Sequence, residues 1–372
     1  MQPQMELIAS PETRIQVSDP AQTVAVRWNP ALKVGFRFIF SYFVLNSFPF
    51  PLDYIPYSGK PLEWYENAWH KIVPWVSTHV LHIAQRITVF PNGSGDTLYN
   101  YVLAFCFLVL AAIATVAWSA VDRKRESYAA LHRWLRLYAR LVLGSALLSY
   151  GAYKVIPSQF PLPPQWRFLQ SYGDSSPMGI LWTFMGVSKS YTIFAGAVEM
   201  LGGALLFIPR LTTLGALVAI GAMTNVFVLN MSYDVPVKLY SFYLLTLGVF
   251  LVLPELRRLV RFFVLNQPTD PAPVEFRFER RWLQLCFVIG VVAFGMYSAG
   301  TSLYYSRKQL KDIRQLYSVA PPLFGVWGVD EFQLDGQLRP PLLTDGARWQ
   351  KAIFEYKTGV TVLAMDGKLV RF

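Results

Sequence analysis

Charge is scarce in this sequence. Asp, Glu, Lys and Arg make up 15% of its 372 residues, where a soluble globular domain carries about 25%. With 53% hydrophobic residues and a mean hydropathy of +0.33, that shortfall excludes an ordinary soluble enzyme and points to an all-α polytopic membrane protein. Cysteine is scarcer still. Cys106 and Cys286 both lie inside apolar runs, so there is no CxxC redox pair and no disulfide framework, and each reads as a small buried hydrophobe. Also missing are a Walker loop, a GxGxxG after a strand, a GxSxG, and any flavin, haem or iron–sulfur motif. The first twenty residues lack a basic n-region followed by an apolar h-region, so the first true helix is expected to act as the membrane signal.

What the chain has in quantity is aromatic residues, 16% with eleven Trp, and a net charge of +11. Amphipathic rings suit two membrane interfaces. In a soluble chain the charge would suggest nucleic acid. Here it reads as basic loops held against anionic lipid, with membrane lipids as partners and no nucleic acid.

Apolar runs of about 20 residues, the length that crosses a bilayer core, divide the chain. Residues 1–30 form a polar tail. Residues 31–130 hold a first span over Leu32 to Leu52, an amphipathic interfacial helix within 53–97, a turn-rich loop over Phe90 to Thr97, and a clean span over Leu98 to Val121. Residues 131–254 hold a helix over Leu131 to Ile156, a loop with the turn Gly173-Asp174-Ser175-Ser176-Pro177, and three nearly contiguous spans from Lys189 to Pro254. Residues 255–304 give a basic interfacial helix and a last span, Trp282 to Tyr304. Residues 305–372 read as a short charged helix followed by a small antiparallel β module, with hairpin-type turns at Lys357-Thr358-Gly359 and Asp366-Gly367. The fold class is thus about seven spans with a small C-terminal β module. Lys and Arg concentrate in 1–37, 122–140, 210 and 255–281, which places the N-terminus in the cytoplasm and the C-terminal tail outside.

Ionisable and polar groups at membrane depth are costly, which makes them site candidates. Glu199 lies mid-helix, Asn225 further out, and Asn230, Asp234 and Lys238 at the outer mouth. Lys154 ends its helix on that side, and Asp174, His79 and His82 belong to outer loops or their edges. Together they describe an outward-facing polar pocket with Glu199 at its floor, as the candidate catalytic residue. Each has a plainer reading. Glu199 pairs with Lys154 or Lys238 as structural glue, Asn225 and Asn230 satisfy helix–helix contacts, Asp234 and Lys238 pair across Pro236, and Asp174 belongs to a turn cap. His79 and His82, three apart on one helical face, have the spacing of two metal ligands. Two ligands without a third are no metal site, and packing is the better explanation.

GAYKVIPSQFP, followed by FAGAVEMLGGALLFIPRLTTLGALVAIGAMTNVFVLNMSYDVPVKLYSFYLLTLGVFLVLP, resembles the DoxX family of bacterial membrane proteins over roughly Leu131 to Pro254. The likeness is carried by Gly151, Lys154, Glu199 with Gly202-Gly203, and Asn225. The whole chain is similar to larger uncharacterised members with added N-terminal helices and a C-terminal β tail. The resemblance implies a four-helix core in the bacterial inner membrane and a link to quinone-dependent oxidoreductase systems, with a partner protein supplying the redox centre and no cofactor in the chain itself. The alternatives are a binding or transport protein for a small or lipid-like solute, or a scaffold of a membrane complex.

Overall fold

The computed structural model describes residues 27–55, 57–89, 95–271, 276, 278–317, 320–355 and 359–372. Most of the expected N-terminal tail, the first part of the Phe90 to Thr97 loop, and Lys357-Thr358 lie outside them. Eleven α-helices are described, followed by a small sheet.

The first helix, α1 (Pro30–Ser47), starts where the Asn29 side chain accepts from Leu32 N at 2.7 Å and Pro30 supplies a preset φ. It stops five residues short of the expected Leu52, because Pro49 holds Phe48 extended (φ −61°, ψ 134°). Helix α2 (Gly59–His79) is amphipathic and packs on α3 (Leu98–Val121), where Val73, Val102 and Cys106 share a small apolar cluster. Then follow α4 (Ala129–Val155), the single turn α5 (Gln165–Leu169), the short apolar α6 (Pro177–Val187), α7 (Lys189–Phe207), α8 (Thr212–Ser232), α9 (Lys238–Val252), the amphipathic α10 (Leu256–Phe263) and α11 (Arg281–Tyr317).

Among the described residues, five helices are long and apolar enough to cross a membrane: Leu98–Val121, Lys189–Phe207, Pro209–Ser232, Lys238–Phe263 and Arg281–Gln315. The expected seven is not reached. The two left out are α1, which carries Lys33 and Arg37, and α4, which carries Arg133, Arg136, Arg140 and Lys154. The burial of α4 explains its composition. It packs against α1, α7, α9 and α11, so it needs little lipid-facing apolar surface. Two of its arginines run to helix ends: Arg140 Nε and Nη2 donate to Leu206 O at 3.1 and 2.9 Å, and Arg136 Nη2 lies 3.4 Å from Leu251 O. Carbonyls in a last helical turn lack intrahelical donors, and a cation there also suits the helix dipole. Arg37 ties α1 to the end of α3 through Ser119 Oγ and Asp122 O, and to the start of α4 through Tyr128 Oη.

The α4–α7 seam is a line of glycines. A Cβ on Gly151 would lie 2.6 Å from Gly196 O, and one on Gly203 would lie 2.9 Å from Gly144 O. Each helix therefore offers a small residue seven positions apart to an antiparallel partner. In lipid, such close contact replaces hydrophobic driving force as the source of association.

The last helix corrects another expectation. The final span and the charged helix are one element, α11, of 37 residues. Ser298, Ser302 and Ser306, spaced four apart, are buried along it, and Ser306 Oγ donates to Ala152 O at 3.0 Å. No glycine or proline interrupts it between Gly300 and Tyr317. The tail beyond holds an antiparallel sheet ordered β1 (Gly325–Gly328), β4 (Trp349–Phe354), β5 (Thr361–Ala364), β6 (Leu369–Arg371). A separate hairpin joins β2 (Gln333–Leu334) to β3 (Gln337–Leu338). Its turn, Asp335-Gly336, sits at φ 53° and 78°, the left-handed pair of a type I′ turn. Asp366-Gly367 turns β5 into β6 as the sequence suggests.

The glycine seam yields a direct test. Gly151→Ala should lower the melting temperature in detergent by the equivalent of about 1–3 kcal/mol. Gly221→Ala, where a Cβ would meet nothing within 4 Å, should not lower it. A second test concerns the tail. Asp345 is held below the usual carboxylate range, first by the N–H of Ala347 and further by Arg339, against a smaller opposing effect of burial. Asp366 is held low by Lys368. Stability from lowered carboxylates is present above the unfolded value, about pH 3.9, and is lost as pH falls through the lower folded value. Hydrogen exchange in peptides from 345–372, corrected for intrinsic rate, should therefore lose protection below about pH 4 while α7 stays protected.

Candidate functional site

The glycine seam sets two charges against each other. Gly151 abuts Gly196 in an antiparallel register, so Lys154 and Glu199, each one turn farther on, lie on opposite sides of that contact, about 9 Å apart along the axis, and the long lysine side chain spans the offset over Gly196. Lys154 Nζ donates to Glu199 Oε1 at 2.9 Å and Oε2 at 2.7 Å. The residues are 7% and 3% exposed. The ammonium also lies 5.6 Å from the Tyr150 ring centre, a cation–π distance. Glu199 accepts from no other described side chain, although a carboxylate has about four acceptor positions.

The pair forms part of the wall of a cavity of about 290 Å³, at the small end of ligand sites, which run roughly 300–1,000 Å³. Five helices and two loops enclose it. Leu181, Trp182 and Met185 of α6 roof it, Met223 and Val226 of α8 and Leu244 of α9 give apolar wall, and Tyr240 stands near Tyr150, ring centres 6.0 Å apart. Gln159 adds a polar atom, Oε1, that is buried and without a hydrogen-bond partner. Tyr191 and Asn225 line the cavity yet are exposed, so its edge reaches the outer surface of the helices.

The structure sorts the sequence candidates. Lys154, Glu199, Asn225 and Asn230 all line this cavity. Gly202 backs on Ala219 and Gly215 on Leu206, which places Asn225 level with Gly196, about 4.5 Å along the axis from Glu199. Asn230 is engaged: its Nδ2 donates to Ser241 Oγ at 3.0 Å and lies 3.4 Å from Val237 O.

Asp234 and Lys238 lie outside the lining. Lys238 Nζ pairs with Asp234 at 2.7 Å, the carboxylate largely exposed at φ 50°, a pair worth little in the open. The backbone N–H groups of Lys238 and Leu239 donate to Asp96 at 2.6 and 3.0 Å. Asp96, which the sequence reading passed over, thereby caps α9 from the loop before α3. Asp174 is exposed at the end of a 3-10 turn, and Ser176 supplies the cap of α6 by accepting from Gly179 N.

His79 and His82 do not share a helical face. Helix α2 ends at His79, where Leu81 N turns back to Val76 O and His82 takes φ 51°. The His79 ring stacks on Trp75 at 5.2 Å. Among the described residues no three His, Cys, Asp or Glu side chains converge as metal ligands. Among the lining residues missed in the sequence are the aromatic Tyr150, Trp182, Tyr191 and Tyr240, because a ring in a membrane helix looks the same whether it faces lipid or a cavity.

This arrangement can hold a small molecule against apolar walls while a buried acid–base pair donates to, or exchanges a proton with, one polar end of it. The pair also carries a stability cost. Removing one partner leaves an uncompensated buried charge, about 3–5 kcal/mol, whereas an apolar pair of similar volume is often neutral. Lys154→Met alone should therefore cause a large drop in melting temperature, and adding Glu199→Leu should recover most of it. Failure of the double variant to recover would show that the charges themselves hold the bundle.

No family model matches the chain, and no solved structure matches it. The uncharacterized protein YwoB of Bacillus subtilis (strain 168) is 31% identical to it over 136 residues, which are 36% of this chain and 85% of that relative. Its name states no activity. With that identity sustained over most of the relative's length, this chain belongs to the same family as YwoB.

Proposed function

We propose that this is an integral membrane protein of the bacterial inner membrane that works in a quinone-linked oxidoreductase system, its bundle binding the lipid-soluble carrier and a separate protein supplying the redox centre. The observation that carries this reading is the Lys154–Glu199 pair in the wall of an otherwise largely apolar cavity. A quinone ring needs apolar walls and a donor for a ring oxygen. It takes up protons when reduced, and an ammonium touching a carboxylate supplies a donor and an acceptor at one point. The exposed edge at Tyr191 and Asn225 suits a ligand arriving from lipid. The DoxX resemblance points the same way, as do the five apolar helices. The basic side, with Arg133, Arg136 and α10, would face the cytoplasm and the β module the exterior. The same exposed edge also favours a second reading, binding or transport of a lipid-like solute without redox chemistry.

The test is to purify the protein in mild detergent, extract it, and identify co-purified molecules by mass spectrometry. Quinone should be retained by the wild type and fall by about tenfold or more in the folded Lys154→Met/Glu199→Leu variant. Another lipid in its place, lost in the same variant, would establish the second reading. No bound molecule, and no binding of added quinone, would remove the first.

A further inference from the structure

The roof of the cavity is the weakest-anchored part of its wall. Helix α6 has 11 residues, too few to cross a bilayer, which takes about 20, so lateral contacts must hold it. Its own Leu181 and Met185 cluster with Val235 and with Phe160 of the chain between α4 and α6. That chain also presses on it elsewhere. A Cβ on Gly186 would lie 2.4 Å from Pro161 O, and Arg167 of α5 donates from Nε to Thr183 Oγ1 at 3.0 Å.

That connecting chain is itself held by the C-terminal tail at three points. Glu355, just past β4 and 7% exposed, accepts through Oε1 from the N–H of Gln165 at the start of α5, a turn whose preceding Pro164 offers no side-chain cap. Arg371 of β6 stands over the Trp166 ring at 4.8 Å. On α11, Gln309 Nε2 lies 3.3 Å from Ser158 O. The path from sheet to cavity is therefore continuous: β4 and β6 grip α5, α5 grips α6, and α6 covers the Lys154–Glu199 pair.

We propose that the C-terminal β module is a clasp on the cavity roof, and that access to the cavity from this side is set by whether Glu355 and Arg371 hold α5 in place. The interface is poised for release. Glu355 Oε2, Gln165 Oε1 and Trp166 Nε1 are all buried there without hydrogen-bond partners, so separating the module from α5 costs less than the buried surface alone would suggest, because these atoms regain water. The clasp does not depend on what the cavity binds.

It can be read without ligand. In a C106A/C286A background, Met185→Cys places a thiol on the buried inner side of α6, where Met185 is 5% exposed. Ser145→Cys, at a position 2% exposed inside α4, serves as the control. Full-length protein in lipid vesicles is reacted with N-ethylmaleimide. Glu355→Ala, and separately Arg371→Ala, should raise the labelling rate at 185 by about tenfold or more and leave 145 unchanged, with Glu355→Gln, which keeps an acceptor, nearer the wild type. An unchanged rate at 185 in both alanine variants would overturn the proposal. So would an equal rise at 145, since the module would then act on the whole bundle and not on its roof.

Discussion

Close approach of two backbones organises this molecule. Where α4 meets α7, glycine stands opposite glycine, and no side chain could be added to Gly151 or Gly196 without meeting a backbone carbonyl at under 3 Å. That contact brings a lysine and a glutamate 45 residues apart in the chain to 2.7 Å. Farther apart, each would be a lone charge in a low-dielectric interior, the costliest state a side chain can occupy there. The seam and the ion pair therefore support each other. Packing brings the charges together, and the charges penalise any slippage of the packing. The cavity is the space left beside this seam, where α4 ends and α6 to α9 close in.

Much of this was legible in the sequence. The long apolar runs reappear as helices because a lipid-facing helix must be apolar over its full length. Glu199 and Lys154 drew attention because charge at depth is rare and costly, and Asn225 and Asn230 for the same reason. Their meeting was one of two pairings the sequence offered, Lys154 or Lys238; the choice between them was not legible, since it depends on an antiparallel register set by the glycines of α4 and α7. Nor was the role of α4. In sequence it reads as a span, yet it packs against four other helices, with Arg136 and Arg140 spent on the carbonyl ends of α9 and α7.

The misreadings share a physical origin. His79 and His82 sit three apart in sequence, but the helix ends at His79 and His82 takes φ 51°, which separates their directions. Asp234 and Lys238 read either as the outer mouth of the pocket or as a pair across Pro236, and the pair is what stands there. They are occupied with each other and with Asp96, a residue 142 positions from Lys238 whose role as a helix cap has no local signature. Spacing rules describe what a regular element would do, and all of these residues stand where regular elements end.

The long terminal helix has a consequence for how this chain can vary in length. Ser306 is level with the last turn of α4, and eleven residues of α11 follow it to Tyr317, a rise of about 16 Å. This part of α11 is a stalk. Adding one residue to it would swing everything above by about 100°, turning Glu355 and Arg371 away from α5. Adding seven would restore the heading but lift the sheet by about 10 Å. Heading and height cannot both be kept, so insertions and deletions belong after Tyr317, and the stalk itself is a ruler whose length is set by the distance from the bundle to the strands it carries.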